Sequence, residues 1–112
     1  MPTIAIQLDP TLLDNPDLDI RYELPDLLAE RSHGLIRDDG YDYVRDDQLL
    51  AVFLETTDVE AALVLILDVI HNVRLLENDL GQGTVIGVLR DNRYDVVYPP
   101  GFAGEFHVPI AE

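Results

Sequence analysis

Leu49-Leu50-Ala51-Val52-Phe53-Leu54, followed by Glu55-Thr56 and then Thr57-Asp58-Val59-Glu60-Ala61-Ala62-Leu63-Val64-Leu65-Ile66-Leu67, is the stretch that decides the fold. A six-residue apolar run with no polar alternation reads as a strand covered on both faces. Thr57-Asp58-Val59-Glu60 has the spacing of a capping box, with the Thr57 hydroxyl on the Glu60 amide and Glu60 reaching back. The helix beyond it, Val59 to about Asn72, is apolar nearly all round. Such a helix lies in a core or in an oligomer interface.

The pattern on either side of this strand–helix unit completes the fold. Thr3-Ile4-Ala5-Ile6-Gln7-Leu8 is a β-branched strand ended by Asp9-Pro10. A helix follows in which Leu24, Leu27 and Leu28 share one face, with Pro25 in its first turn and Gly34 as its stop. A start near Asp19 would instead place Pro25 inside the helix. Asp38-Asp39-Gly40 reads as a turn, and Tyr41–Val44 as a strand forming a hairpin with Leu49–Leu54. Val73–Leu76 leans towards a strand, and Gly81-Gln82-Gly83 is a loop. Thr84–Leu89 and Tyr94–Tyr98 form a hairpin around Asp91-Asn92-Arg93, and Pro99-Pro100 ends the sheet. The expected fold is one α+β domain over 1–112, a ferredoxin-like βαββαβ sandwich of two helices on a mostly antiparallel sheet. It carries an extra C-terminal hairpin and an extended tail over 99–112.

Charge narrows the function. Twenty-two acidic residues face seven basic ones, all arginine, giving −15 on a chain that is 47% hydrophobic. That apolar content suits a folded body, with roughly two thirds of its unfolded surface buried. An acidic coat repels nucleic acid and anionic membrane, so neither is an expected partner; it attracts a basic protein. No cysteine is present, which removes disulfides, thiolate metal sites and thiol nucleophiles. The first residues lack a basic leader region, and the run Ala61–Leu67 is far short of the about 20 residues a span needs. A soluble, cytoplasmic protein is expected.

Motifs for chemistry are weak. Ser32 and His33 are adjacent, which does not build a triad, and His33 suits a helix C-terminus. Asp68 and His71 lie three apart on one helix face and read as a polar pair at the core edge. His107 lies among Phe106, Val108 and Pro109 with nothing to activate it. Asp14-Asn15-Pro16-Asp17-Leu18-Asp19 fails as a calcium loop because its sixth position is Asp19 and its twelfth is Pro25. Asp38-Asp39-Gly40-Tyr41-Asp42 fails similarly, and Gly81-Gln82-Gly83 lacks the Lys and helix of a phosphate cradle. No metal, cofactor or catalytic residue is expected.

A recognition surface remains. Asp38, Asp39, Tyr41, Asp42, Tyr43, Asp46 and Asp47 crowd one segment, flanked by Arg37 and Arg45. Aspartates match a partner's Arg and Lys, and tyrosine is a favoured anchor side chain. Strand alternation puts Tyr41 and Tyr43 on one face and Asp42 on the other. Asp9, Asp14, Asp17, Asp19 and Glu23 form a second acidic group. The leading expectation is a non-enzymatic acidic protein that neutralises a basic partner, as a bacterial immunity protein or antitoxin does to a nuclease-like toxin. The alternative is a structural subunit or homodimer whose acidity serves solubility. An enzyme or ligand sensor would require a pocket collecting His71, Asp68 and a tyrosine.

Overall fold

The computed structural model describes residues 2–13, 19–44, 48–75, 78–102, 106 and 108, with the backbone alone at Gln82. In chain order these form β1 (Thr3–Leu8), α1 (Ile20–Arg31), β2 (Ile36–Val44), β3 (Leu49–Thr56) and α2 (Val59–Asn72). Then come the short β4 (Arg74–Leu75) and β5 (Asn78–Asp79), followed by β6 (Thr84–Arg90) and β7 (Arg93–Tyr98). One sheet has the order β2-β3-β1-β6-β7, with every neighbouring pair antiparallel; β4 and β5 pair separately. The fold is α+β, with two helices on an antiparallel sheet. The five strands of the sheet include the β6–β7 hairpin, and the separate two-stranded ladder precedes it.

Both helices cover one face. Ile4, Ile6 and Leu8 of β1 and Leu50, Val52 and Leu54 of β3 share a cluster with Leu24 and Leu28 of α1 and Ile66, Val69 and Ile70 of α2. The period of two in the strands and of about four in the helices brings these residues together. Each such side chain contributes about 1.5–3 kcal/mol when fully buried. The opposite face is built differently. Ala5, Ala51, Leu49 and Val44 are buried there beneath Phe53, Tyr94, Phe106 and Val108. Thus β3 is covered on both sides, as its unbroken apolar run implies.

Local signals are used in unexpected ways. α1 begins at Ile20, so Pro25 lies inside the helix and not in its first turn. An interior proline costs about 3 kcal/mol through the lost bond and the ring's clash with the preceding turn; the early start offsets this by burying Ile20, worth about 1.5–3 kcal/mol, and the Pro25 ring is itself buried. Gly34 does end the helix, its amide bonding the Ala29 carbonyl, but His33 (φ 53°) takes the first left-handed position. The cap of α2 is Asp58, whose carboxylate accepts from the Ala61 amide at 3.1 Å. Thr57 is not the cap: the Thr56 hydroxyl, which accepts from the Asp58 amide, fixes the approach one residue later. Between β6 and β7, Asp91 and Asn92 (φ 51° and 64°) supply the two left-handed residues that a tight hairpin requires.

The candidate partner-binding edge

Asp38-Asp39-Gly40 does not reverse the chain. β2 runs through it from Ile36 to Val44, and its register against β3 shifts between Asp38 (opposite Leu54) and Tyr41 (opposite Val52). Asp39 and Gly40 of β2 therefore answer Phe53 of β3 alone, which is a bulge. Gly40 adopts φ 96°, and its amide donates to the Asp38 carboxylate at 2.9 Å. A turn signature has become a kink within an edge strand because the run on β3 offers partners on both sides of it.

Beyond the bulge, Tyr41 and Tyr43 lie opposite Val52 and Leu50 and so point to the helix side, while Asp42 lies opposite Ala51. Asp38, Asp39, Tyr41 and Asp42 are exposed, and Tyr43 is half-buried. Asp42 accepts a bond from the Tyr43 amide. Asp46 and Asp47, expected in the same surface, lie outside the described residues, as do Arg45, Asp14 and Asp17.

Sequence reasoning missed that α1 delivers Arg21 and Tyr22 to these tyrosines. The Tyr22 and Tyr41 rings meet edge to face at 5.7 Å, and Tyr41 and Tyr43 at 6.0 Å. The Arg21 guanidinium lies 4.6 Å from the Tyr22 ring centre and 5.4 Å from that of Tyr41, and donates to the Tyr43 hydroxyl at 3.3 Å. A hydrogen bond from Tyr41, reinforced by Arg21, pulls the Tyr22 phenol below its ordinary pKa. The same bond, with Tyr41 as donor, pushes the Tyr41 phenol up. The adjacent pair Arg21-Tyr22 was visible in the sequence, but nothing local placed it beside residue 41.

The other expected groups disperse. Asp9 accepts from the amide and hydroxyl of Thr11, and Asp19 and Glu23 flank the start of α1. Asp9, Thr11, Gln48 and Leu49 line an open depression of about 430 Å³. The Ser32 hydroxyl donates to the Ala29 carbonyl and accepts from the Ile36 amide, a structural role. Asp68 bonds Asn72, not His71, which instead meets the Tyr98 ring edge-on at 5.3 Å. Spacing of four overrode spacing of three. Among the described residues, no three His, Asp or Glu side chains gather as metal ligands, and no helix is long and apolar enough to cross a membrane.

Compared with known protein families, curated proteins and solved structures, the chain matches none.

Proposed function

We propose that this chain is a non-enzymatic acidic binding protein that neutralises a basic protein partner from the cytoplasm of a bacterium. An immunity protein or antitoxin against a nuclease-like toxin is the role of that class. The observation that carries the reading is the exposed β2 edge, where Asp38, Asp39 and Asp42 flank an exposed Tyr41 packed against Tyr22. Carboxylates there meet a partner's Arg and Lys, and the aromatic pair supplies a rigid anchor. The net charge of −15 steers a basic surface towards it and repels nucleic acid and anionic membrane. The ferredoxin-like reading of the fold belongs to the same proposal, supported by the order β2-β3-β1-β6 with a helix after β1 and another after β3.

The test is binding of the partner recovered from native lysate, purified and titrated at 50 and at 300 mM salt. Affinity is expected to fall at least tenfold with salt and about 30-fold on Tyr41→Ala, the size of an anchor residue. Salt-insensitive binding that survives Asp38→Asn with Asp42→Asn overturns the reading. A homodimer or structural subunit is the second reading, favoured by Val64, 72% exposed on α2 with Leu63 and Leu67 half-buried beside it. Light scattering of the isolated chain, with Val64→Glu as the control, decides between them.

A further inference from the structure

The sheet ends in two strands, β2 and β7, and their outer edges differ. Among the described residues each has one hydrogen-bonded neighbour, β3 for β2 and β6 for β7. Along β7, Tyr94 to Tyr98 are half-buried, Asp95 lies between Arg90 and Arg93 at 4.0 and 3.8 Å, and the His71 ring meets Tyr98. Along β2, Arg37 to Asp42 are all exposed. A strand with one neighbour leaves a row of backbone N–H and C=O groups that another strand can complete. Charge and bulges blunt such edges, and β2 has both, but the charge beyond Arg37 is all carboxylate. A second copy of the chain laid there would set Asp38, Asp39 and Asp42 against the same three residues, so self-pairing is repelled.

The bulge sorts these side chains by face. Asp38, Tyr41 and Tyr43 lie opposite Leu54, Val52 and Leu50, on the helix side. Asp39 and Asp42 lie opposite Phe53 and Ala51, on the other side, and the charge of Asp39 reaches Tyr94 there. In an unbroken strand, residues three apart would face opposite ways. The extra residue brings Asp39 and Asp42 to one face, spaced for positions i and i+2 of a neighbouring strand.

We propose that β2 accepts an added antiparallel strand from the basic partner, with Arg or Lys at alternate positions towards Asp39 and Asp42 and apolar side chains between them towards Tyr41 and Tyr43. Strand addition rests on the acidic-binding role given above to this edge, and it adds the form in which the partner is held. Main-chain hydrogen bonds supply the attachment, and the alternation of carboxylate and tyrosine faces supplies the selection. The antiparallel direction continues that of every neighbouring pair in the sheet.

The experiment is an NMR titration of the full chain with a blocked peptide of about seven residues, long enough to lie along Arg37–Tyr43, in which arginine and valine alternate. Two further peptides carry N-methyl groups on the arginine amides or on the valine amides. Those two sets face opposite edges of an extended chain, and methylation leaves the charge unchanged. Bound parent peptide is expected to slow hydrogen exchange at β2 amides and not at those of β7. One methylated form is expected to lose roughly tenfold in affinity and the other to keep it, because only one edge faces β2. Asp39→Asn with Asp42→Asn is expected to weaken the parent peptide roughly fivefold. Glu60→Gln with Asp68→Asn, the same charge change on α2, is expected to leave its affinity unchanged, with thermal unfolding confirming folded chains. Binding in which both methylated forms keep their affinity, or both lose it, overturns strand addition and leaves the acidic-binding role standing. Equal weakening by the two pairs of substitutions, or protection at β7, overturns it likewise. Absence of binding by every peptide also overturns it, and the acidic-binding role is then judged by the salt titration of the recovered partner.

Discussion

The two faces of the sheet are closed by different means. The helix face is filled with Ile4, Ile6, Leu8, Leu50, Val52 and Leu54, and two helices bring Leu24, Leu28, Ile66 and Ile70 against them. The other face has a floor of small residues, with Ala5 and Gly87 directly opposite one another on β1 and β6. The Phe106 ring is seated there, so close that a Cβ on Gly87 would lie 2.8 Å from it. Two helices make one cover; single side chains, Phe53 and Tyr94 of the sheet with Phe106 and Val108 beyond it, make the other. A sheet can thus be buried on both sides in a chain this short, provided one side is floored with residues that leave room for an aromatic ring.

The contrast implies a ranking. Ile66→Ala empties a fully buried site on the helix face and is expected to cost about 2–5 kcal/mol in denaturant unfolding. Gly87→Ala on the other face forces Phe106 out of its seat and is expected to cost about 1–3 kcal/mol. In a Phe106→Ala background the same glycine substitution should cost less, because the two closest contacts are gone and only Tyr94 Cβ, at 3.3 Å, remains tight. Equal costs for Gly87→Ala in both backgrounds would show that the ring does not occupy that seat in solution. The helical cover depends on its cap: Asp58→Ala is expected to lose about 1 kcal/mol, and Thr57→Ala less than about 0.5 kcal/mol. The reverse order would restore Thr57 as the cap.

The smallest effect concerns Tyr94 on the tail-covered face. Burial, with the charge of Asp39 adding to it, pushes its phenol above the ordinary tyrosine pKa. The folded state then holds a proton that the unfolded state has released, so stability falls as pH rises from the ordinary tyrosine range through the raised value. Tyr94→Phe should flatten that alkaline limb of the unfolding midpoint. An unchanged limb would place the titrating group elsewhere.

Much of this was legible from periodicity. The strands β1, β3, β6 and β7 and the span of α2 follow from runs and alternation whose period belongs to one element type. What misled were signals with two physical uses. Asp38-Asp39-Gly40 supplies a left-handed glycine and an aspartate that bonds the amide two residues on, and a bulge needs both as much as a turn does. Thr57 and Asp58 are both good caps, and the buried Thr56 selects between them. Pro25 favours a first turn locally, but the core on the helix face draws Ile20 in. Of the candidate surface, Asp38, Asp39, Asp42 and Tyr41 stood out from composition. Their neighbours Arg21 and Tyr22 did not, since contact across 20 residues is a property of the packed α1–β2 pair. The meeting of the His71 and Tyr98 rings was hidden for the same reason.

The position of β1 bears on how the chain assembles. Its Ile4 pairs with Leu54 on one side and with Val88 on the other, so the central strand waits for partners fifty and eighty-four residues further along. On the ribosome that strand emerges before both of its partners, finds β3 first, and keeps one edge open until β6 follows. Such long-range closure is slow, and an unpaired apolar strand is a hazard while it lasts. Mutual repulsion among nascent chains rich in carboxylates would keep them apart during that interval.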